Sequence, residues 1–109
     1  MITIKRGEFY VKHLQLLYAD TKEPLDLTEC SAYCQMRDVP GGNLLATATC
    51  TITAESGEIW AKFFGVQTES LPLGECGYDI WLEENGTSRY PLYTARCQIV
   101  DAYTKDFGE

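Results

Sequence analysis

The chain has 109 residues, is 45% apolar and 23% charged, and carries a net charge of −7, which is typical of one globular domain with a single core. Its nine basic residues form no run, whereas proteins that bind phosphate polyanions concentrate lysine and arginine in a patch. Composition therefore disfavours nucleic-acid and anionic-membrane binding, although Lys5, Arg6 and Lys12 are close enough in sequence to form one local basic patch. The N-terminus lacks a signal-peptide pattern, and no stretch approaches the ~20 apolar residues of a membrane span, so the expected site of synthesis is the cytoplasm.

The five cysteines are expected to act as small hydrophobic residues. Their odd number, without CxxC spacing, argues against a disulfide framework. A zinc site would need close ligand pairs, and the sequence offers only Cys30 with Cys34. Four of the cysteines fall on the apolar side of predicted strands and are predicted to be buried: Cys34, Cys50, Cys76 and Cys97.

The chain begins with two β segments. The alternating residues 2–4 predict a short opening strand, which Gly7 ends at a bend or bulge. Residues 8–18 are rich in aromatic and branched side chains and predict a longer strand. The apolar residues before Lys12 and those after it fall on opposite parities, so a bulge near Lys12 is predicted to bring both sets into one core.

The next segment combines an extended stretch, a strand and a loop. Residues 24–28 (PLDLT) are predicted to be extended, with two leucines closing one end of a sandwich. Residues 31–38 alternate cleanly, as a strand with one buried face does, and residues 39–43 form the clearest loop in the chain. The inward positions of this strand are Ala32, Cys34 and Met36, and the outward ones are Tyr33, Gln35 and Arg37.

Residues 44–53 predict one strand whose positions 44, 46, 48, 50 and 52 share a face. A helix fits the alanines alone, but four alternating threonines favour a pleated strand. Residues 58–64 return as a strand with Ile59, Ala61 and Phe63 inward. A single helical turn is predicted at 68–71, ending before Pro72.

The strongest local signal is a β-hairpin at residues 74–92. Its first strand alternates between apolar and mostly polar positions. Asn85-Gly86 tolerates the positive φ angles that a tight type I′ turn requires. Residues 93–102 complete the last strand, and residues 103–109 form a polar C-terminal tail that we expect to fray.

About seven short strands with turn signals between them predict an all-β fold. We expect an antiparallel immunoglobulin-like β-sandwich over residues 1–102, with an up-and-down barrel as the alternative. No βαβ alternation indicates a parallel sheet.

No motif of a common catalytic or nucleotide-binding site occurs in the sequence. His13 is the only histidine, and a surface position on its strand is favoured over a catalytic one. Asp79 and Glu83 share a strand face beside Trp81, where a solvated polar face is favoured over a glycosidase-type carboxylate pair. We therefore predict no catalytic residue, no cofactor and no metal site.

Four aromatic residues fall on outward parities of their strands: Tyr33, Trp60, Phe64 and Trp81. Exposed aromatic side chains are enriched at protein interfaces. We predict that these four contribute to a protein interface; the alternatives are an error of parity or a second sheet that covers this face.

Several segments, taken together, resemble a family of small structural proteins of tailed phages and prophages. The family opens with an ITIKRGD-like stretch, continues with a PIDLTG-like segment and a strand that ends in Arg-Asp, and later carries a PxGxYxYDL-like strand. The matching segments here are ITIKRGE (2–8), PLDLT (24–28), QMRD (35–38), PLG (72–74) and GYDI (77–80). They occur in the same order over nearly the whole chain, which departs from the pattern in having Glu29 where a glycine is usual.

This family is similar to the N-terminal immunoglobulin-like domain of phage upper baseplate proteins, which attaches receptor-binding machinery to the tail. The resemblance implies a non-catalytic structural role in the virion, in the tail, the baseplate or the head–tail region. Its expected partners are other virion proteins or a second copy of the chain. The alternatives from other classes are a small carbohydrate-binding module, suggested by aromatic residues beside carboxylates, and a minor enzyme that uses His13.

Overall fold

The computed structural model describes residues 1–104, so the predicted frayed tail lies outside the described residues from position 105 onward. Within that range the chain forms eight strands and one short helix. The strands are β1 (Ile2–Lys5), β2 (Tyr10–Gln15), β3 (Cys30–Arg37), β4 (Leu44–Thr47), β5 (Thr49–Thr53), β6 (Glu58–Phe63), β7 (Gly74–Glu84) and β8 (Ser88–Val100), and helix α1 (Gly65–Glu69) lies between β6 and β7.

The strands form two sheets, one of five strands in the order β1-β8-β7-β3-β4 and one of three in the order β2-β6-β5. The predicted all-β sandwich is confirmed. The strands pair antiparallel, as predicted, except that β1 runs parallel to β8. Parallel pairing needs a long connection between the strands, and here the whole remaining chain connects them.

The predicted hairpin is formed by β7 and β8, and it lies at the centre of the larger sheet. Asn85 and Gly86 adopt φ angles of 51° and 70°, and the Thr87 amide donates to the Glu84 carbonyl at 3.0 Å. The inward side chains of β7 are all buried, with exposed fractions from 0% to 7%: Cys76, Tyr78, Ile80 and Leu82. Burial of a large apolar side chain contributes about 1.5–3 kcal/mol, so this strand anchors the core.

The predicted bulge near Lys12 is wrong. Strand β2 pairs with β6 without interruption from Tyr10 opposite Phe63 to Gln15 opposite Glu58. Phe9 precedes the strand on its outer side and stacks on Phe64, with ring centroids 5.4 Å apart. Because Phe9 packs on Phe64 at the surface, the strand needs no bulge to turn Phe9 toward the core.

The predicted single strand at 44–53 is also wrong, because the chain changes sheets within it. Strand β4 pairs with β3, whereas β5 pairs with β6 in the other sheet. Ala48 lies at the crossing, buried, and its amide donates to the Cys34 carbonyl at 2.9 Å. A shift of register between Met36 and Arg37 leaves Leu45 as an extra residue, so Leu44 is turned outward and is 50% exposed.

The core lies between the sheets in two clusters. The larger cluster contains Cys34, Cys76 and Cys97, which confirms their prediction as buried residues; Cys50 is half-buried against the same cluster, and all five cysteines carry free thiols. The smaller cluster contains Leu27 with Ile59 and Leu82, so the 24–28 segment closes one end of the sandwich as predicted.

The single helix begins earlier than predicted, at Gly65 instead of residue 68. The Thr68 hydroxyl is buried and donates to the Glu8 carbonyl at 2.7 Å. This bond ties the helix to the connection between β1 and β2.

Candidate functional site

The four predicted interface residues point outward but lie at three different places. Tyr33 on β3 and Trp81 on β7 are direct cross-strand partners on the outer face of the five-stranded sheet. Trp60 lies on the outer face of the three-stranded sheet, opposite His13 and Thr51. Phe64 follows β6 and stacks on Phe9. The structure therefore brings two of the four together, and we call Tyr33 and Trp81 the aromatic platform.

The aromatic platform is accessible, and its tyrosine is held by a polar contact. Tyr33 is 53% exposed and Trp81 is 37% exposed. The Tyr33 hydroxyl donates to Glu83 Oε1 at 3.3 Å, and Arg89 Nε donates to Glu83 Oε2 at 2.8 Å. These contacts limit the rotation of the Tyr33 side chain, so less of its conformational entropy is lost when a ligand covers it.

Two cavities open on the same outer face. One has a volume of about 340 Å³ and includes the aromatic platform with Glu83 and Arg89. The other has a volume of about 490 Å³ and extends over Gly77 toward the 39–41 loop. Gln35 and Asp79 line both cavities, and we call the combined depression the outer trough.

Asp79 lies at the junction of the two cavities. It is half-buried in the middle of β7, opposite Gln35 on β3 and Thr94 on β8. Its carboxylate makes no side-chain hydrogen bond or ion pair with any of residues 1–104. A partly desolvated carboxylate without a partner favours a cationic group or a hydrogen-bond donor, so Asp79 can orient whatever lies on the platform.

Gly77 forms the floor of the larger cavity. An added Cβ there would lie 2.9 Å from the Ala95 carbonyl oxygen, so the strand packs too closely for a side chain at this position. Its neighbours in register are Arg37 on β3 and Arg96 on β8. Two arginine side chains therefore stand on either side of exposed backbone.

Both arginines are held by polar groups. Arg37 donates from one guanidinium nitrogen to the Gly42 carbonyl at 2.7 Å and from the other to Gln35 Oε1 at 2.8 Å. Arg96 donates to Glu75 Oε2 at 2.9 Å. Because their charges are already partly matched, the arginines shape the wall of the trough more than they create an anion site.

The loop that forms the far wall is fixed by Asp38. Its carboxylate accepts hydrogen bonds from the amides of Val39 and Asn43, both at 2.8 Å. These two backbone bonds lower the pKa of Asp38, as is expected when hydrogen bonds favour the charged form. The wall of the outer trough is therefore preformed.

Trp60 has a different environment on the opposite face of the sandwich. The His13 ring lies on it with centroids 4.8 Å apart, and His13 Nε2 contacts Glu58 Oε2 at 2.7 Å. The pKa of Glu58 is lowered by a hydrogen bond from Ser56 and by the contact with His13. The partner of His13 is therefore a carboxylate, whereas a nucleophile is activated only when the base itself contacts the hydroxyl.

Within the part of the chain that the structure describes, no group of three or more histidine, cysteine, aspartate or glutamate residues could hold a metal ion. No helix among residues 1–104 has the length and apolar character needed to cross a membrane.

Sequence reasoning missed the role of the polar half of the trough. From the sequence, Asp79 is predicted to lie on a solvated face, and the pattern of alternation does not distinguish Gly77 as an outward position without a side chain. Gly77 is the feature of the sequence that could have indicated this part of the trough, because glycine inside a strand indicates a close approach of another backbone.

Comparison with models of protein families gives no match, and no curated protein matches the chain significantly.

Proposed function

We propose that this protein is a non-catalytic structural component of a tailed-phage or prophage particle, and that it binds another virion protein through the outer trough. The observation that carries the binding role is the aromatic platform beside the unpartnered Asp79 on an open sheet face. Rigid aromatic anchors next to a polar group that orients the ligand are typical of the centre of a protein interface.

The order of the strands supports the finer assignment of an immunoglobulin-like domain. In variable-type immunoglobulin domains a sheet with the order G-F-C-C′ packs against one that contains B-E-D. The order β8-β7-β3-β4 against β2-β6-β5 corresponds to this arrangement. The additional strand β1 pairs with β8 at the edge.

The local geometry of the PLDLT segment supports the family resemblance. Asp26 Oδ1 accepts hydrogen bonds from the Thr28 amide at 3.0 Å and from the Thr28 hydroxyl at 2.6 Å. Glu29, which follows, has a φ angle of 67°. Glycine adopts this left-handed conformation without steric cost, and glycine is the usual residue at this position in the family that the sequence resembles.

The partner is expected to offer an apolar surface with a central cationic or donor group. Such a group would lie over Trp81 and reach Asp79, combining a cation–π contact with charge pairing. Central aromatic residues of this kind contribute about 2 kcal/mol or more each when truncated.

The location in the particle is tested directly. Particles from the strain that encodes the chain are purified on a density gradient and quantified by mass spectrometry. We expect the chain at a constant ratio to the tail proteins; its absence from purified particles would contradict the virion role.

The surface is tested by competition during assembly. Tagged wild-type chain and a tagged double variant, Tyr33→Ser with Trp81→Ser, are co-expressed with the particle genes. We expect at least about tenfold less of the variant in particles, because two anchor residues are lost. Trp60→Ser, on the opposite face, is the matched control and should be incorporated normally; equal incorporation of the double variant would exclude the outer trough.

A carbohydrate-binding module is the second candidate. Trp81 lies between Asp79 and Glu83 on the strand face, and an aromatic ring flanked by carboxylates suits a sugar that stacks and donates hydroxyl protons. A glycan array with wild-type protein and the Trp81→Ser variant tests this. Binding that the variant abolishes would favour it over the protein partner, and a lack of binding to any glycan would dismiss it.

A further inference from the structure

Strand β5 forms an open edge of the three-stranded sheet. It pairs with β6 on one side and, among residues 1–104, with no strand on the other. An edge strand presents unpaired backbone amides and carbonyls to a further strand. The segment 44–53, which contains β5, has no charged residue, proline or glycine, although the chain is 23% charged.

The other described edges carry features that discourage strand addition. Strand β2 places Lys12 on its inward side, where the ammonium group lies 4.4 Å from the centroid of the Tyr93 ring. Strand β4 is interrupted by the extra residue Leu45, and β1 has only four residues. Inward charges, bulges and short length are the usual means of protecting edges; β5 has neither an inward charge nor a bulge, and with five residues it is one residue longer than β1.

The helix next to β5 covers its beginning but not its length. Gln67 Nε2 donates to the Thr47 carbonyl at 2.8 Å, so α1 occupies the corner where the chain passes from β4 to β5. The outward side chains of β5 remain exposed, and these are Thr49, Thr51 and Thr53.

We propose that two copies of the chain pair through β5, antiparallel about a two-fold axis at Thr51. The strand is self-complementary in this register. Thr51 faces its own copy, Thr49 faces Thr53, and on the inner side Cys50 faces Ile52. Threonine pairs suit the outer face of an antiparallel sheet, and the two sheets join into one of six strands, as in other cases of strand addition.

A second copy fits this edge better than an unrelated strand because every position has a matching partner and no charge is buried. The interface is small, and each copy carries a net charge of −7, so we expect weak association, with a dissociation constant on the order of 100 µM in about 0.15 M salt. This pairing uses the smaller sheet and does not depend on the proposed role of the outer trough.

Sedimentation velocity over about 5–500 µM tests the pairing. Wild type should shift from monomer to dimer over this range, whereas Thr51→Lys and Thr51→Glu should each remain monomeric, because like charges would face each other on the axis. An equal mixture of the two variants should associate again. Thr3→Lys, an exposed threonine on β1, is the matched control and should dimerise like wild type.

Circular dichroism spectra and melting temperatures verify that the variants fold. A wild-type protein that stays monomeric, or a dimer that Thr51→Lys leaves intact, would overturn the proposal. Failure of the mixed variants to associate would contradict the axis at Thr51, and a monomer that instead captures a strand-forming peptide at this edge would show that β5 serves another partner.

Discussion

At the scale of single residues, Glu29 holds a backbone conformation that its side chain disfavours. Its φ of 67° lies in the left-handed region, which costs a non-glycine residue about 1–2 kcal/mol. The conformation persists because the Glu29 carbonyl accepts a hydrogen bond from the Asn85 amide at 3.0 Å, linking this loop to the hairpin turn.

We therefore expect Glu29→Gly to raise the free energy of unfolding by about 0.5–1 kcal/mol, after the greater entropy of the unfolded glycine chain is subtracted. Urea denaturation measures the change. Glu55→Gly, at an exposed turn residue without a positive φ, is the control and should be neutral or destabilising. A Glu29→Gly variant no more stable than wild type would contradict this account of the loop.

The buried acids of the core make stability depend on alkaline pH. Desolvation raises the pKa of Cys97 to about 12 from an ordinary 9.0, and it raises the pKa of Cys34 and Tyr78 as well. Since these groups stay neutral when folded, the unfolded chain releases protons first as the pH rises. The stabilisation of the folded state that these neutral groups provide is complete below pH 9 and is lost progressively above it.

We expect the free energy of unfolding measured in urea to fall between pH 9 and pH 10.5, with a slope that approaches about 1.4 kcal/mol per pH unit for each thiol whose ionisation is suppressed. Cys34→Ala should be less stable at pH 7 because it loses packing, but its stability should fall less steeply with pH. Stability that is flat or rises over this range would show that the thiols ionise freely in the folded state.

At the scale of elements, alternation predicted the strands that have one clearly buried face. Strands β3, β6 and β7 follow their apolar positions closely, since a strand at the centre of a sheet has little freedom of register. Alternation failed at the margins. Alternation does not reveal the break between β4 and β5 at Ala48, because the inward residues of both strands have the same parity. It also predicts a bulge in β2 that is absent, because Phe9 packs on Phe64, a contact between residues distant in sequence.

The hairpin turn is the element whose sequence and geometry agree best. Gly86 has a φ of 70° and open space around its Cα, so Gly86→Ala should cost about 1 kcal/mol from backbone strain alone. Thermal unfolding measures it, with Ser88→Ala as the exposed control. An unchanged melting temperature would mean that the turn does not impose this conformation.

At the scale of the whole molecule, the sandwich separates two surfaces with different properties. The outer trough carries Tyr33, Trp81 and an unpartnered carboxylate, whereas Trp60 on the opposite sheet is packed against His13. Parity alone predicted that all four aromatic residues point outward. It could not predict which of them meet, because that depends on how strands distant in sequence are ordered in the sheets.

The central claim, that the outer trough binds another virion protein, is tested most directly by fluorine NMR of protein labelled with 5-fluorotryptophan. The two resonances are assigned with Trp60→Phe and Trp81→Phe variants, and unlabelled proteins from dissociated particles are then added. We predict that the Trp81 resonance shifts or broadens while that of Trp60 is unchanged. A response at Trp60 alone, or at neither residue, would contradict the account.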